Sequence, residues 1–118
     1  MDLNEEIREG YTISKNMKCV WSIQIDMAKH VLDVCSKHKL RIWADGGTLL
    51  GAVRHKGLIP WDDDIDMLMP RTDYDTLISL ASKEFKPPYF LQSAYTDKDY
   101  YRGHIQIRYE GTTAILKE

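Results

Sequence analysis

Four aspartates fall within five residues, Asp62, Asp63, Asp64 and Asp66, with Ile65 and Met67 interleaved. Side chains alternate faces along an extended strand, so Asp64 and Asp66 point the same way while Ile65 and Met67 point into a core. Asp62 is in phase with the pair if the strand has already begun; Asp63 is out of phase and suited to holding a loop. Two like charges this close raise each other's pKa and destabilise the fold unless a cation neutralises them. Magnesium fits, because it takes one or two carboxylates and fills its remaining positions with water and substrate phosphates; manganese is the alternative. Most acidic runs are solvated turns. Here the interleaved apolar residues, flanked by Trp61 and by Met67-Leu68-Met69, favour a metal site at Asp62, Asp64 and Asp66.

Asp64 and Asp66 follow Gly47 by 17 and 19 residues, after the turn Gly46-Gly47-Thr48. Glycines there let backbone come close to a phosphate and open a helix whose N-terminal N–H groups favour anions. A tight turn with no ligand is the plainer reading of a lone Gly-Gly, and the acids that follow add the weight. Arg54, His55 and Lys56 place positive charge before the acids, either to neutralise phosphate or an acidic acceptor, or simply to solvate a turn. Lys56 is followed by Gly57, so this is not a Walker A loop. No dinucleotide GxGxxG, Ser-His-Asp or Cys-His arrangement is present, and His30, His38 and His104 lack metal-ligand spacing.

These residues need supports. Residues 1–13 read as a loosely held arm. Ser14 suits the N-cap of a long helix reaching about His38, with Met17, Val20, Trp21, Ala28, Val31, Leu32 and Cys35 at helical spacing and Gln24 interrupting the stripe. Leu40–Ala44 reads as a strand and Thr48 to about Arg54 as a short helix. A second strand should start after Pro60, which cannot donate to a ladder, and run to about Met69. Thr72 is placed to cap a third helix, with Asp73 and Asp75 in its positive first turn and Tyr74, Leu77, Ile78, Ala81 and Phe85 on its apolar face. Tyr89–Ala94 reads as a strand and Tyr95–Tyr101 as a loop. His104–Tyr109 alternates cleanly, and Glu110-Gly111 signals a turn to Thr112–Leu116, so a hairpin ends the chain. Such a mixture is α+β or α/β with a small sheet.

At 118 residues the chain is one domain, residues 1–118. A net charge of -2 excludes an electrostatic case for nucleic acid. No apolar run approaches the roughly 20 residues of a membrane span, and the acidic start is wrong for a secretory signal, so the expected location is cytoplasmic. Cys19 and Cys35 share one helix, roughly 24 Å apart by helical rise, too far for a disulfide. Both read as small buried thiols.

Gly-Gly, a spacer, then Asp64-Ile65-Asp66-Met67 resembles the signature of polymerase-β-type nucleotidyltransferases. The run WADGGTLLGAVRHKGLIPWDDDIDMLMPR is similar to the LicD family, which includes bacterial phosphocholine transferases and fukutin-related proteins. IQIRYEGTTAI resembles a later block of that family, with Arg108 and Thr112-Thr113 at matching places. The resemblance implies an α+β fold, a small mixed β-sheet flanked by helices around a nucleotidyltransferase core. It implies metal-dependent transfer of a phosphorylated group, phosphocholine from CDP-choline or a similar nucleotide-diphosphate-linked donor, to a sugar of a cell-surface glycan, lipopolysaccharide or teichoic acid. Asp64 and Asp66 become the catalytic metal ligands, Asp62 a third. Gly46, Gly47, Thr48, Arg54, Lys56 and Arg108 become the phosphate-binding set. An enzyme of this kind works in the cytoplasm or peripherally at the inner face of the membrane. Such sites also take a carboxylate from a neighbouring strand, expected beyond Thr113, and Asp97, Asp99 and Glu110 do not sit in that pattern. The 118 residues therefore read as the N-terminal, incomplete part of the family domain, binding metal weakly and turning over poorly. A nucleotidyltransferase using an NTP and an inactive binding module are the competing functions.

Overall fold

The structure, a computed structural model, describes residues 2–93 and 104–112. The chain is α+β, with three separate antiparallel strand pairs among the described residues, none of them parallel. It divides into two compact units, Met1–Asp73 and Tyr74–Glu118.

The first unit opens on a hairpin. β1 (Glu6–Arg8) pairs with β2 (Tyr11–Ile13) through a Glu9-Gly10 turn in which both residues have positive φ, 51° and 76°. That is the two-residue geometry that matches strand twist. The expectation of a loose arm is overturned, since Ile13 is fully buried and Glu6 pairs with Lys18. Ser14 then caps α1 (Lys15–Lys37), its hydroxyl accepting from the Met17 N–H at 3.1 Å. The helix ends in a Schellman motif: Lys39 adopts φ 57°, its N–H donates to Ser36 O, and Leu40 N–H donates to Cys35 O at 2.8 Å.

The buried face of α1 is Lys18, Trp21, Val31, Val34 and Cys35. Val20 and Leu32, expected on that face, are exposed, and Lys18 is buried because Glu6 reaches it. Cys19 is also exposed, contrary to expectation. Cys35 is buried, and burial, followed by the negative charge of Asp73, pushes its thiol up from the ordinary range.

β3 (Trp43–Ala44) and β4 (Met67–Leu68) form a two-residue ladder, Trp43 opposite Leu68 and Ala44 opposite Met67. Both strands are shorter than the sequence suggests, and residues 62–66 precede β4 without a ladder. Between them run α2 (Gly46–Leu50) and a π-helical turn (Gly51–His55), so the helix starts two residues earlier than expected. Lys56, at φ 55°, ends it. α3 (Arg71–Ser79) begins one residue before Thr72. Asp73 receives the Arg41 backbone N–H at 2.7 Å and both arms of its guanidinium, at 3.0 and 3.2 Å.

In the second unit α3 continues, and Leu80 separates it from α4 (Ala81–Glu84). Leu77, Ala81, Phe85 and Leu91 are buried. A cis Pro87–Pro88 bond precedes β5 (Tyr89–Gln92), which pairs with β6 (Gln106–Tyr109) from Tyr89 opposite Tyr109 to Gln92 opposite Gln106. Thr112 turns back on Tyr109, its N–H and hydroxyl both donating to that carbonyl. The expected loop 95–101 and nearly all of the expected last strand, 113–116, lie outside the described residues. Among the described residues no helix is long and apolar enough to cross a membrane.

Two outcomes follow from this packing. The Arg41 bonds hold the Asp73 carboxyl at about 2, below its usual 3.8. The unfolded chain then binds more protons between about pH 4 and pH 2, and stability falls as pH drops through that window. Asp73→Asn should flatten the fall, as read by urea midpoints across it. A thiol-specific reagent should label Cys19 rapidly and Cys35 only on unfolding.

Candidate functional site

The site is built in the first unit around the elbow between β3 and α2. Asp45, the last extended residue, donates its N–H to the Asp66 carbonyl at 3.0 Å, carrying the β3–β4 register one pair further. Asp66 in turn donates its N–H to the Thr48 hydroxyl oxygen at 2.8 Å. Both backbone groups of Asp66 are thus tied to the elbow.

Gly46 has φ +53°, which a side chain rarely adopts; a Cβ there would lie 3.5 Å from Asp66 Oδ2. Gly47 is needed for space: a Cβ would lie 2.7 Å from Asp62 Oδ2, inside contact distance. The carboxylates of Asp62 and Asp66 therefore rest on consecutive glycines. The pair that meets the glycines is Asp62 with Asp66, whereas the alternation reading paired Asp64 with Asp66 and added Asp62 only if the strand had begun.

Asp64 belongs to the same field. Partial burial raises its carboxyl above the ordinary range, and the charges of Asp66, Asp62 and Asp63, in that order, push it further. No basic side chain forms an ion pair with Asp62, Asp63, Asp64 or Asp66 among the described residues. Nor do three His, Cys, Asp or Glu groups among those residues converge to hold an ion unaided. What the segment offers is hard carboxylate oxygen without a counter-charge. That donor set suits Mg²⁺, which needs only one or two protein carboxylates.

The basic turn is less basic than its letters. Arg54 Nε lies 3.0 Å from His55 Nε2 as donor, and Glu9 Oε2 stands 2.5 Å from His55 Nδ1. His55 also meets the Trp61 ring edge-on at 5.9 Å, and Trp61 meets Tyr11 in the same way. His55 thus joins the hairpin to the turn, while Arg54 and Lys56 stay exposed. Arg108 is exposed on β6 of the second unit, opposite Phe90.

Sequence reasoning missed two supports on α1. Trp21 Nε1 donates to the Asp62 carbonyl at 2.8 Å, and Gln24 Nε2 donates to the Asp63 carbonyl. The signal was present: a glutamine interrupting an apolar stripe, three residues after a tryptophan.

A family model described as LicD/FKTN/FKRP, nucleotidyltransferase domain, matches residues 39–115. The chain belongs to the LicD family. Over 82 residues it is 37% identical to the lipopolysaccharide cholinephosphotransferase LicD of Haemophilus influenzae, covering 70% of this chain and 31% of that protein. An uncharacterized protein of Rickettsia prowazekii is 37% identical over 94 residues, 80% of this chain and 32% of the relative. The human ribitol 5-phosphate transferase FKRP is 45% identical over 42 residues, 36% of this chain and 8% of the relative. This LicD-family chain thus spans at most about a third of these relatives. No solved structure matches it significantly.

The two glycines should separate by experiment. Gly46→Ala is expected to lose roughly 1–2 kcal/mol, the cost of a left-handed non-glycine residue. Gly47→Ala should stay within about 0.5 kcal/mol, because only the end of a side chain must move. It should nevertheless shift the Asp62 carboxyl ¹³C resonance. Urea unfolding and carboxyl-labelled NMR read the two effects.

Proposed function

We propose that this LicD-family chain carries the phosphate- and metal-binding part of a phosphotransferase. Its donor is a nucleotide-diphosphate-linked small molecule, CDP-choline or similar, and its acceptor is a sugar hydroxyl of a cell-surface glycan. The observation that carries the reading is the seating of the Asp62 and Asp66 carboxylates on Gly47 and Gly46, with Asp64 in the same field. The family supports it, since two relatives are named for transfer of phosphorylated groups.

Asp64 and Asp66 would be the catalytic pair holding Mg²⁺ or Mn²⁺, with water and donor phosphate filling the remaining positions. Asp62 stands in reserve as a third ligand that does not converge with them in this arrangement. When bound, the ion supplies charge neutralisation to the diphosphate and to the leaving phosphate. The protein's own part is positional. The Gly46-Gly47 turn lets the Asp66 and Asp62 carboxylates lie against the backbone, and Thr48 keeps Asp66 fixed there. Arg54, within the π-helical turn, and Lys56, at its end, are exposed and would neutralise the donor's phosphates; Arg108, in the second unit, is assigned that task on the family resemblance alone. The acceptor oxygen then attacks phosphorus in line, and the new P–O bond forms as the bond to the nucleotide phosphate breaks. The nucleoside monophosphate leaves, and the hydroxyl proton passes to water. A nucleotide donor of this kind places the reaction in the cytoplasm or at the inner face of the membrane. The nucleotidyltransferase core expected from the family is part of the proposal.

Calorimetric titration with Mg²⁺ followed by CDP-choline tests the site. The wild-type chain should bind both weakly, and Asp66→Asn should lose Mg²⁺ affinity by about 10-fold or more. Incubation with labelled CDP-choline, CTP or ATP and a glycan acceptor sorts the chemistry. Labelled phosphocholine on the glycan supports the proposal, whereas a labelled nucleotide on the acceptor would replace it with nucleotidyl transfer. Undiminished Mg²⁺ binding by Asp66→Asn would remove the site.

A further inference from the structure

We infer that Trp21 and Gln24 are positioning residues for the acidic segment, acting together as a clamp on two consecutive peptide groups. The inference rests on the proposed metal site and adds residues outside the stretch 39–115 that the family model matches.

Positions 21 and 24 share one face of α1, one turn apart. From that face the indole N–H reaches the Asp62 carbonyl at 2.8 Å, and the Gln24 amide reaches the carbonyl of Asp63. The Asp62 N–H donates to Ile59 O at 3.0 Å, so Asp62 is held through both backbone groups. Downstream, the next such fixed point is Asp66, held by Thr48 and Asp45. The acidic run is therefore pinned at both ends, and the pins lie where the two carboxylates meet the glycines. Without a ladder over residues 62–66, the clamp does the work that cross-strand hydrogen bonds do elsewhere.

A buried tryptophan needs some acceptor, so Trp21 alone would make a weak case. Gln24 strengthens it. A half-buried glutamine can turn its amide to water at little cost, yet here its donor end is spent on the adjacent carbonyl and its Oε1 is buried with no partner among the described residues. That arrangement costs solvation and is balanced by what it holds. Trp21 is itself fixed, only 2% exposed, with the Arg8 guanidinium 5.9 Å from its ring centre.

The test uses the 118-residue chain as wild type, Trp21→Phe, Gln24→Leu, the double variant, and Val20→Ala as an exposed control on the same helix. Calorimetric Mg²⁺ titration is paired with amide hydrogen exchange at residues 62–66 and with urea unfolding. Gln24→Leu should bind Mg²⁺ about 10-fold more weakly, as removal of a supporting residue around a metal does. It should exchange faster at 62–66 and keep its urea midpoint. Trp21→Phe should do the same with some loss of stability, and the double variant should fall short of the summed effects because both act on one segment. Unchanged exchange and affinity in Gln24→Leu would overturn the inference, as would losses that merely track global unfolding. If the wild-type chain gives no Mg²⁺ heat, the proposed function fails. The clamp is then decided by exchange alone, with faster exchange confined to 62–66 supporting it and unchanged exchange overturning it.

Discussion

Mutual repulsion among four carboxylates in five residues is the constraint to which the first unit is fitted. Two unit charges about 6 Å apart near a protein surface repel by roughly 3 kcal/mol, a sizeable share of a small domain's whole stability. Left to itself, such a segment would splay its side chains into water. Here the Asp62 and Asp66 carboxylates lie against consecutive glycines, and the Asp64 carboxyl is raised first by partial burial and then by the charges of its neighbours. Something must hold the backbone while the side chains repel. Asp45 and Thr48 hold one end, and α1 holds the other.

That requirement explains elements that look incidental. The N-terminal hairpin closes over the start of α1: Ile13 is buried, Glu6 meets Lys18, and Arg8 lies beside Trp21. Its turn residue Glu9 reaches His55, which packs on Trp61, which packs on Tyr11. Hairpin, long helix and π-helical turn thus brace the acidic segment from both flanks. Arg41 secures the start of α3 to the approach to β3 through three hydrogen bonds to Asp73. None of these contacts is chemical in purpose.

Local signals were legible in the sequence; the braces were not. Ser14, the apolar period and the exhaustion of that period near His38 set the limits of α1, because capping and periodicity act within a few residues. The glycine elbow was legible from Gly46-Gly47 themselves, whereas alternation singled out Asp64 and Asp66 and could not say that Asp62 is the residue seated on Gly47, because that depends on the chain path before β4. The clamp joins residues 41 and 39 positions apart, and no local pattern encodes that separation. The hairpin was lost because Glu-Gly is a weaker turn signal than Asn-Gly, and Lys18 because its partner lies in that unrecognised hairpin. β3 and β4 were overextended for another reason: alternation reports which way side chains point, whereas ladder length depends on a partner strand.

Charge arithmetic ties the site to the proposed chemistry. In the proposed reaction Arg54 and Lys56 would supply the positive charge for the diphosphate, while His55 turns Nε2 to Arg54 and Nδ1 to Glu9. Against those two positive charges stand the four aspartates, unpaired with any basic group among the described residues. Two cations do not bring a polyanion onto four carboxylates. The divalent ion of the proposed function would do so, because it would convert carboxylates from a barrier into ligands and lend positive charge to the incoming phosphate. Under that proposal the acidic segment would serve the reaction only with metal and donor both present, and the hydrogen bonds from Trp21, Gln24, Thr48 and Asp45 would keep its backbone in place until then.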